Sequence, residues 1–197
     1  MNLKPHVIIV GAGFGGLVAA KKLACKDSYV NCWPQRKKTK AGIGNWQLAI
    51  SNPLSPQITV RNLQRTISVN AAALEQFAVK AAHRSLQLQK GKQTDLRRLA
   101  EIFVWLVSNR RMARLHRQFL GQTGSTDVLT FQHGEIFISV EMAKRQARIF
   151  GNSLMGELQL YIVHGFLHLH GFDDRTPSGS RRMKKVQEKI LRGALSC

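Results

Sequence analysis

Apolar positions from about residue 57 onward follow two periodicities. Short runs rich in β-branched and aromatic residues predict strands, and apolar residues recurring every three or four positions predict helices. The predicted strands span 58–63, 101–107, 126–131 and 135–139, and the predicted helices span 70–83, 109–119, 142–153, 154–170 and 178–195. Because strands and helices mix without strict alternation, the pattern predicts an α+β fold for residues 57–197.

The first 25 residues have a different pattern: a strand, a glycine turn and the start of a helix. Residues 7–10 are an apolar run, residues 11–16 read Gly-Ala-Gly-Phe-Gly-Gly, and residues 17–23 begin a helix. In such an arrangement the pyrophosphate of a dinucleotide sits on a helix N-terminus. The stretch resembles the amino terminus of FAD-dependent pyridine-nucleotide oxidoreductases, in particular the type II NADH dehydrogenases.

A working dinucleotide site also needs an acidic residue about twenty positions after the glycines, where it holds the ribose hydroxyls. Here that window, residues 32–40, is basic and contains no carboxylate. We therefore interpret residues 1–25 as a truncated Rossmann-like segment in which Gly11, Gly13 and Gly16 bind no cofactor. No dinucleotide is expected as a partner.

Residues 26–56 are polar, basic and weakly patterned, which predicts a linker before the folded region. Their charge is part of an imbalance along the whole chain, where 30 Lys and Arg face 11 Asp and Glu and leave a net charge of +19. A field of this strength attracts polyanions. Nucleic acid, an anionic membrane or a large ribonucleoprotein are therefore the expected classes of partner.

The cysteines and the apolar runs indicate the compartment. Cys25, Cys32 and Cys197 form no paired spacing, as expected in a reducing environment. The longest apolar run, residues 7–20, is short and glycine-rich for a membrane-spanning helix, and two lysines follow it where a signal peptide would carry small residues. We expect a soluble cytoplasmic protein without a membrane partner.

His164 and His168 lie four positions apart in a predicted helix, so both imidazoles project from one helix face. Gly171 can adopt a positive φ and let the backbone turn sharply. Asp174, ten residues after the first histidine, can then approach the same point. Two imidazoles and a carboxylate leave a fourth position open for water, which is typical of a catalytic Zn²⁺ site with one ion per chain.

Two neighbouring residues have less direct roles in this interpretation. Asp173 is an alternative ligand, but we expect it to accept a hydrogen bond that orients a ligating imidazole. His170 lies two positions past His168 on a different helix face, so we expect it to be structural or to lie outside the ligand set.

The spacing His-x-x-x-His-x-x-Gly-x-x-Asp also matches zinc proteases of the metzincin type. Those enzymes carry Glu as the general base directly after the first histidine, and here that position is Gly165. A metalloprotease is therefore the alternative to a metalloribonuclease. A third possibility is a non-catalytic ribosome-binding factor that keeps zinc for structure.

The histidine segment closely resembles the motif of the YbeY family of metal-dependent endoribonucleases. Residues 164–174 read His-Gly-Phe-Leu-His-Leu-His-Gly-Phe-Asp-Asp, where the family has His-Gly-x-Leu-His-Leu-x-Gly, an aromatic residue, Asp and then His or Asp. Residues 125–131, Ser-Thr-Asp-Val-Leu-Thr-Phe, and residues 134–139, Gly-Glu-Ile-Phe-Ile-Ser, resemble two further family strands. The resemblance covers about 57–197.

This resemblance implies that His164, His168 and Asp174 bind one Zn²⁺. It also implies a small mixed sheet packed against helices, with the histidine helix at the centre. The implied activity is zinc-dependent cleavage of single-stranded RNA in maturation of the 16S rRNA 3′ end and in ribosome quality control. The implied partner is the small ribosomal subunit.

The sequence departs from the family at one position thought to hold phosphate. Most members have Arg after the aromatic residue that precedes the Thr-Asp strand, and here Leu120 occupies that place. The predicted basic helix offers three substitutes at helical spacing, Arg110, Arg114 and Arg117. Glu135 is a candidate general base if its side chain reaches the metal.

Overall fold

The computed structural model describes residues 7–10, 55–88 and 94–196. Its strands are β1 (Val7–Val10), β2 (Gln57–Asn62), β3 (Glu101–Val107), β4 (Val128–Phe131) and β5 (Glu135–Ser139). Its helices are α1 (Ala71–Leu86), α2 (Asp95–Arg98), α3 (Asn109–Leu120), α4 (Val140–Phe150), α5 (Leu154–Leu169) and α6 (Pro177–Leu195). The predicted α+β class and mixed sheet are confirmed.

The sheet has the strand order β1-β4-β5-β3-β2. β2 and β5 run parallel to β3 on either side of it, with Val104 opposite both Val60 and Ile136. β4 runs antiparallel to β5, and Gly134 in the short connection between them has a φ of 97°. The edge strands β1 and β2 therefore run in the same direction, and among the described strands only β4 runs opposite to the others.

Side chains alternate across the sheet, so each strand contributes to two different apolar layers. On one face, Val104, Ile136 and Ile138 pack with α1, α5 and α6 in the larger core. On the other face, Leu129 and Phe137 pack in a smaller cluster with residues of α3. The sheet thus separates α3 from α5.

Helix α5 lies at the centre of the larger core, as the resemblance implies. Ser153 begins it by accepting a hydrogen bond from the Gly156 amide at 3.0 Å. Most of its residues are buried, and it packs against α1, α4, α6 and the sheet. A helix that is apolar on nearly all sides is expected in such a position. Within the described ranges, none of the helices is both long and apolar enough to cross a lipid bilayer.

The amino-terminal apolar run forms a strand, but its pairing is not that of a Rossmann unit. β1 lies antiparallel to β4, with Val7 opposite Phe131 and Val10 opposite Val128. A dinucleotide-binding unit instead places its first strand parallel to its neighbours. The glycine turn with Gly11, Gly13 and Gly16 lies outside the described residues, as does the predicted linker at 26–56 up to residue 54.

Candidate metal centre

The two histidines project from the carboxyl-terminal half of α5, one helical turn apart. Their Nε2 atoms are 3.2 Å apart, and the rings meet edge to face with centroids 4.7 Å apart. The side chain of His168 is 3% exposed and that of His164 is 13% exposed. A rigid, buried helix therefore holds both imidazoles in place.

A tight turn after α5 brings the carboxylate to the imidazoles. Gly171 has a φ of 82°, as predicted from its position, and the Phe172 amide donates to the Leu167 carbonyl at 2.9 Å. The chain reverses here, and Asp174 approaches with its Oδ2 atom 3.6 Å from His164 Nε2 and its Oδ1 atom 3.8 Å from His168 Nε2. One ligand atom from each residue lies within 4.8 Å of the others.

The donor set fits a metal ion in both spacing and charge. Ligand atoms about 2.0–2.2 Å from a tetrahedral Zn²⁺ lie roughly 3.3–3.6 Å from one another. The Nδ1 atom of each imidazole is hydrogen-bonded to an oxygen acceptor. The ring proton therefore resides on Nδ1, and Nε2 presents a lone pair. Two lone pairs and a carboxylate that converge on one point repel each other without a cation between them. The group can therefore bind a metal.

Burial keeps both imidazoles in the neutral form that ligates metals. Burial, together with the neighbouring imidazole, lowers the pKa of His168 to about 3. The pKa of His164 is also lowered, mainly because burial penalises its charged form. Protons therefore compete weakly with a metal ion for these nitrogens near neutral pH.

The groups that orient the imidazoles do not include Asp173, which the sequence predicts in this role. His164 Nδ1 donates to Gln187 Oε1 on α6 at 3.0 Å, and His168 Nδ1 donates to the Phe172 carbonyl at 3.1 Å. Asp173 instead pairs with Arg175, which donates from its backbone amide at 3.0 Å and from Nε at 2.6 Å. These bonds lower the pKa of the Asp173 carboxyl. The prediction that Asp173 orients an imidazole was wrong.

His170 has a structural position away from the ligand set. It is fully buried, and its Nε2 atom donates to the Leu88 carbonyl at 3.3 Å. Its Nδ1 atom accepts from the Thr94 hydroxyl at 3.0 Å. His170 thus ties the end of α5 to the end of α1 and to the start of α2.

A cleft of about 480 Å³ opens beside the metal group. Its floor is α5, one wall is the end of α4, and the other wall is α6. Among the residues that the structure describes, Lys184 is the one cation that lines the cleft. Its lining residues are Gln146, Phe150, Asn152, Glu157, Leu160, Tyr161, His164, Asp174, Ser180, Met183, Lys184, Gln187 and Glu188.

Two polar residues of α5 extend the metal face of the helix toward its start. Glu157 and Tyr161 are buried, and the Tyr161 hydroxyl donates to the Glu157 carboxylate. Glu157 also accepts from Asn152 Nδ2 at 2.6 Å. Burial, followed by the negative charges of Asp127 and Glu157, raises the pKa of Tyr161 well above its usual range. The helical spacing of positions 157, 161, 164 and 168 is the sequence signal that could have identified this pair.

The structure does not bring Glu135 into the cleft. Ile136, the next residue along β5, packs toward α5 in the larger core, so Glu135 projects from the opposite face of the sheet. There it accepts from Trp105 Nε1 at 3.2 Å and pairs with His133 Nε2 at 3.0 Å. These contacts provide a structural role for the carboxylate.

Arg110, Arg114 and Arg117 share one exposed face of α3, as their spacing predicts. Because α3 covers the face of the sheet opposite α5, the three guanidinium groups are not brought to the metal group. Leu120 ends α3 and packs against the smaller cluster.

Comparison with known proteins identifies relatives that share the described domain. The family model for endoribonuclease YbeY matches residues 59–194. Proteins named endoribonuclease YbeY are similar to this chain in Frankia alni (36% identity, 47% of this chain, 62% of that protein) and Leifsonia xyli (33% identity, 59% of this chain, 89% of that protein). In Anaeromyxobacter the identity is 36%, over 47% of this chain and 54% of that protein.

A solved structure agrees with these matches. The solution structure of a protein from Thermotoga maritima superposes with a TM-score of 0.51 at 27% identity, covering 70% of this chain and 88% of that one. The chain spans less than two thirds of the Frankia and Anaeromyxobacter proteins. Because the family model begins at residue 59, it gives the NADH dehydrogenase resemblance of the first 25 residues no support. From residue 59 to residue 194, the chain belongs to the YbeY endoribonuclease family.

Proposed function

We propose that this protein is a zinc-dependent endoribonuclease that cleaves single-stranded RNA, with one Zn²⁺ held by His164, His168 and Asp174. The observation that carries the proposal is the convergence of three unprotonated ligand atoms beside an open cleft, in a chain of the YbeY family. Two imidazoles and one carboxylate leave a coordination position for water or substrate.

In this proposal, different residues of the cleft hold the ion and the substrate. When bound, Zn²⁺ lowers the pKa of water toward neutrality and polarises a phosphoryl oxygen. Gln187 and the Phe172 carbonyl keep the two Nε2 lone pairs directed at the ion. Lys184, one helical turn before Gln187 on α6, supplies the positive charge that holds a phosphate, in a cleft where Glu157, Asp174 and Glu188 are carboxylates.

The catalytic unit in this proposal is residues 57–197, and the first 56 residues are dispensable for it. The substrate is the 3′ end of 16S rRNA, and the partner is the small ribosomal subunit in the cytoplasm. Support comes from the family and from the charge, since 22 Lys and Arg face 10 Asp and Glu in residues 57–197, a difference of +12. Such a surface favours a polyanionic partner.

A metalloprotease finds less support in the geometry. Gly165, where the metzincin base would stand, faces the sheet instead of the cleft. A Cβ atom built there lies 2.8 Å from Ile136 Cδ1 and 3.2 Å from Thr130 Oγ1. A carboxylate at this position would be directed into the core, away from any metal-activated water.

The test combines metal content with RNA cleavage by the full chain. We expect one Zn²⁺ per chain, cleavage of a single-stranded RNA that stops with a chelator, and no cleavage of casein. His164→Ala and His168→Ala should each abolish stoichiometric zinc binding, whereas Asp174→His should keep it because imidazole suits the same position. A 2′,3′-cyclic phosphate on the product would identify the 2′-hydroxyl as the nucleophile, and a 3′-hydroxyl would identify water.

Two results would contradict the proposal. Zinc binding by Asp174→Ala at the parent affinity, together with its loss in Asp173→Ala, would overturn the ligand assignment. Ribosome binding by a zinc-loaded protein that cuts no RNA would favour the non-catalytic ribosome-binding factor.

A further inference from the structure

Phe150 is a large apolar side chain that stands at the rim of the metal cleft. It is the last residue of α4 and is 53% exposed. Gly151 follows with a φ of 69° and ends the helix, so the backbone turns away directly after the ring. Phe150 lines the same cleft as His164 and Asp174.

The cleft that Phe150 lines contains both apolar and charged side chains. Leu160, Tyr161 and Met183 also line it, as do the charged residues Asp174 and Lys184. The volume of about 480 Å³ lies within the range of sites that enclose a small molecule, roughly 300–1,000 Å³. A nucleotide combines the same two kinds of group, because its base is flat and apolar on both faces and its phosphate is charged.

We propose that Phe150 stacks on the base of a nucleotide next to the phosphate that is cut, which makes it a specificity-determining residue. This inference rests on the proposed function and defines what the enzyme recognises: one unpaired base of any identity. Stacking on an aromatic ring tolerates every base, since every base has a π face. A base inside a duplex is covered by its neighbours on both faces, so the same contact selects single-stranded RNA.

The experiment compares two adjacent exposed apolar residues of α4. Ile149 is 60% exposed but does not line the cleft, so Ile149→Ala is the matched control for Phe150→Ala. Affinity and cleavage are measured with a single-stranded RNA and with copies in which one nucleotide near the cut is abasic. Thermal unfolding and zinc content of each variant show that the fold and the metal are intact.

We expect Phe150→Ala to weaken binding of the intact RNA by about tenfold, within the range for loss of one stacked base. Phe150→Trp should retain affinity, and Ile149→Ala should behave as the parent. At one position, removing the base should weaken binding by the parent about tenfold as well. The same removal should weaken binding by Phe150→Ala no further. This non-additivity identifies the nucleotide that the ring contacts.

Two outcomes overturn the inference: equal effects of Phe150→Ala and Ile149→Ala, or additive losses at every abasic position. Both can occur in a protein that cleaves RNA, and then the proposed function stands without the stacking contact. Conversely, a protein that shows the non-additive loss in affinity but cuts no RNA retains the stacking contact and loses the proposed activity. Absence of RNA binding by the parent would reject both.

Discussion

A single hydrogen bond from α6 positions the more exposed of the two imidazoles. Gln187 is buried and accepts the Nδ1 proton of His164, and no second acceptor of that proton is seen in the described part of the chain. His168 is held differently, by a backbone carbonyl that no side-chain substitution can remove. The orientation of His164 is therefore the part of the site most open to perturbation by mutation.

Gln187→Leu should lower zinc affinity by about 10–100-fold, as loss of a partner that orients a ligand typically does. Gln187→Glu keeps an acceptor and should retain most of the affinity. The control is Glu188→Gln, a change in the next residue, which also lines the cleft. Competition for Zn²⁺ against a chelating dye measures all three, and parent affinity in Gln187→Leu would show that the contact does not orient the ligand.

Prediction of the site from the sequence succeeds where the residues are local. The spacing of His164, His168 and Asp174 needs only one helix and one glycine turn, so the grouping follows from the pattern. Gln187 comes from a helix 23 residues further along, and its approach depends on how α6 packs against α5. The exclusion of Glu135 depends likewise on which face of the sheet α5 covers.

At the scale of elements, the approach of α5 to the sheet depends on the absence of a side chain. Gly165 follows His164 directly and is buried against Ile136 and Thr130. Thr130 Oγ1 is buried here without a hydrogen-bond partner among the described residues. The ligand helix therefore lies close to β4 and β5 at the level of the metal group.

Gly165→Ala should destabilise the protein by about 1–3 kcal/mol through overpacking, despite the better helix propensity of Ala. The added Cβ would lie 2.8 Å from Ile136 Cδ1 and 3.1 Å from its Cγ2. Ile136→Val removes the nearer atom and alone should cost about 0.5–1.5 kcal/mol. Urea unfolding should show that the double variant loses less than the sum, whereas simple additivity would mean that the helix shifts instead of straining against Ile136.

The boundaries of the elements show how far local patterns reach. β3 and β5 occupy the predicted residues, and the five long helices lie within a few residues of their predicted bounds. The predicted strand at 126–131 begins only at Val128, because the Asp127 side chain accepts from the Val128 amide at 3.0 Å. The short α2 (Asp95–Arg98) was not predicted, since four residues carry no periodicity.

At the scale of the whole molecule, the cations form more than one surface. Lys184 lies in the cleft, whereas the arginine face of α3 (Arg110, Arg114 and Arg117) lies on the other side of the sheet. The amide of Asn109, the first residue of α3, donates to Glu141 near the start of α4, and the end of α4 forms a cleft wall. An RNA strand that leaves the cleft along α4 runs about 16 Å before it reaches α3, because a helix rises 1.5 Å per residue.

Replacing Arg110, Arg114 and Arg117 with Gln should weaken binding of all single-stranded RNAs alike and flatten the salt dependence. Each lost contact removes about 0.7 from the slope of log affinity against log salt. The control replaces three other exposed cations, Arg61, Arg65 and Lys80, and loses the same charge. Salt titrations that give both triple variants the same slope would show that only net charge matters, and zinc content should stay unchanged in each.

The amino-terminal segment marks the limit of prediction at this scale. A four-residue apolar run correctly indicates a strand at Val7–Val10. Its partner is β4, more than a hundred residues away, and neither the partner nor the antiparallel direction is encoded in the run itself. Pairing across such a distance is decided by which sheet edge remains available, a property of the completed fold.

The contacts of the three histidines near the end of α5 have a spectroscopic consequence. His164 and His168 carry their single ring proton on Nδ1, whereas the donor to the Leu88 carbonyl places the proton of His170 on Nε2. The two tautomers of imidazole have opposite nitrogen-15 chemical-shift patterns. Three residues within seven positions thus provide an internal reference: zinc should move the Nε2 resonances of the first two and leave those of His170 almost unchanged.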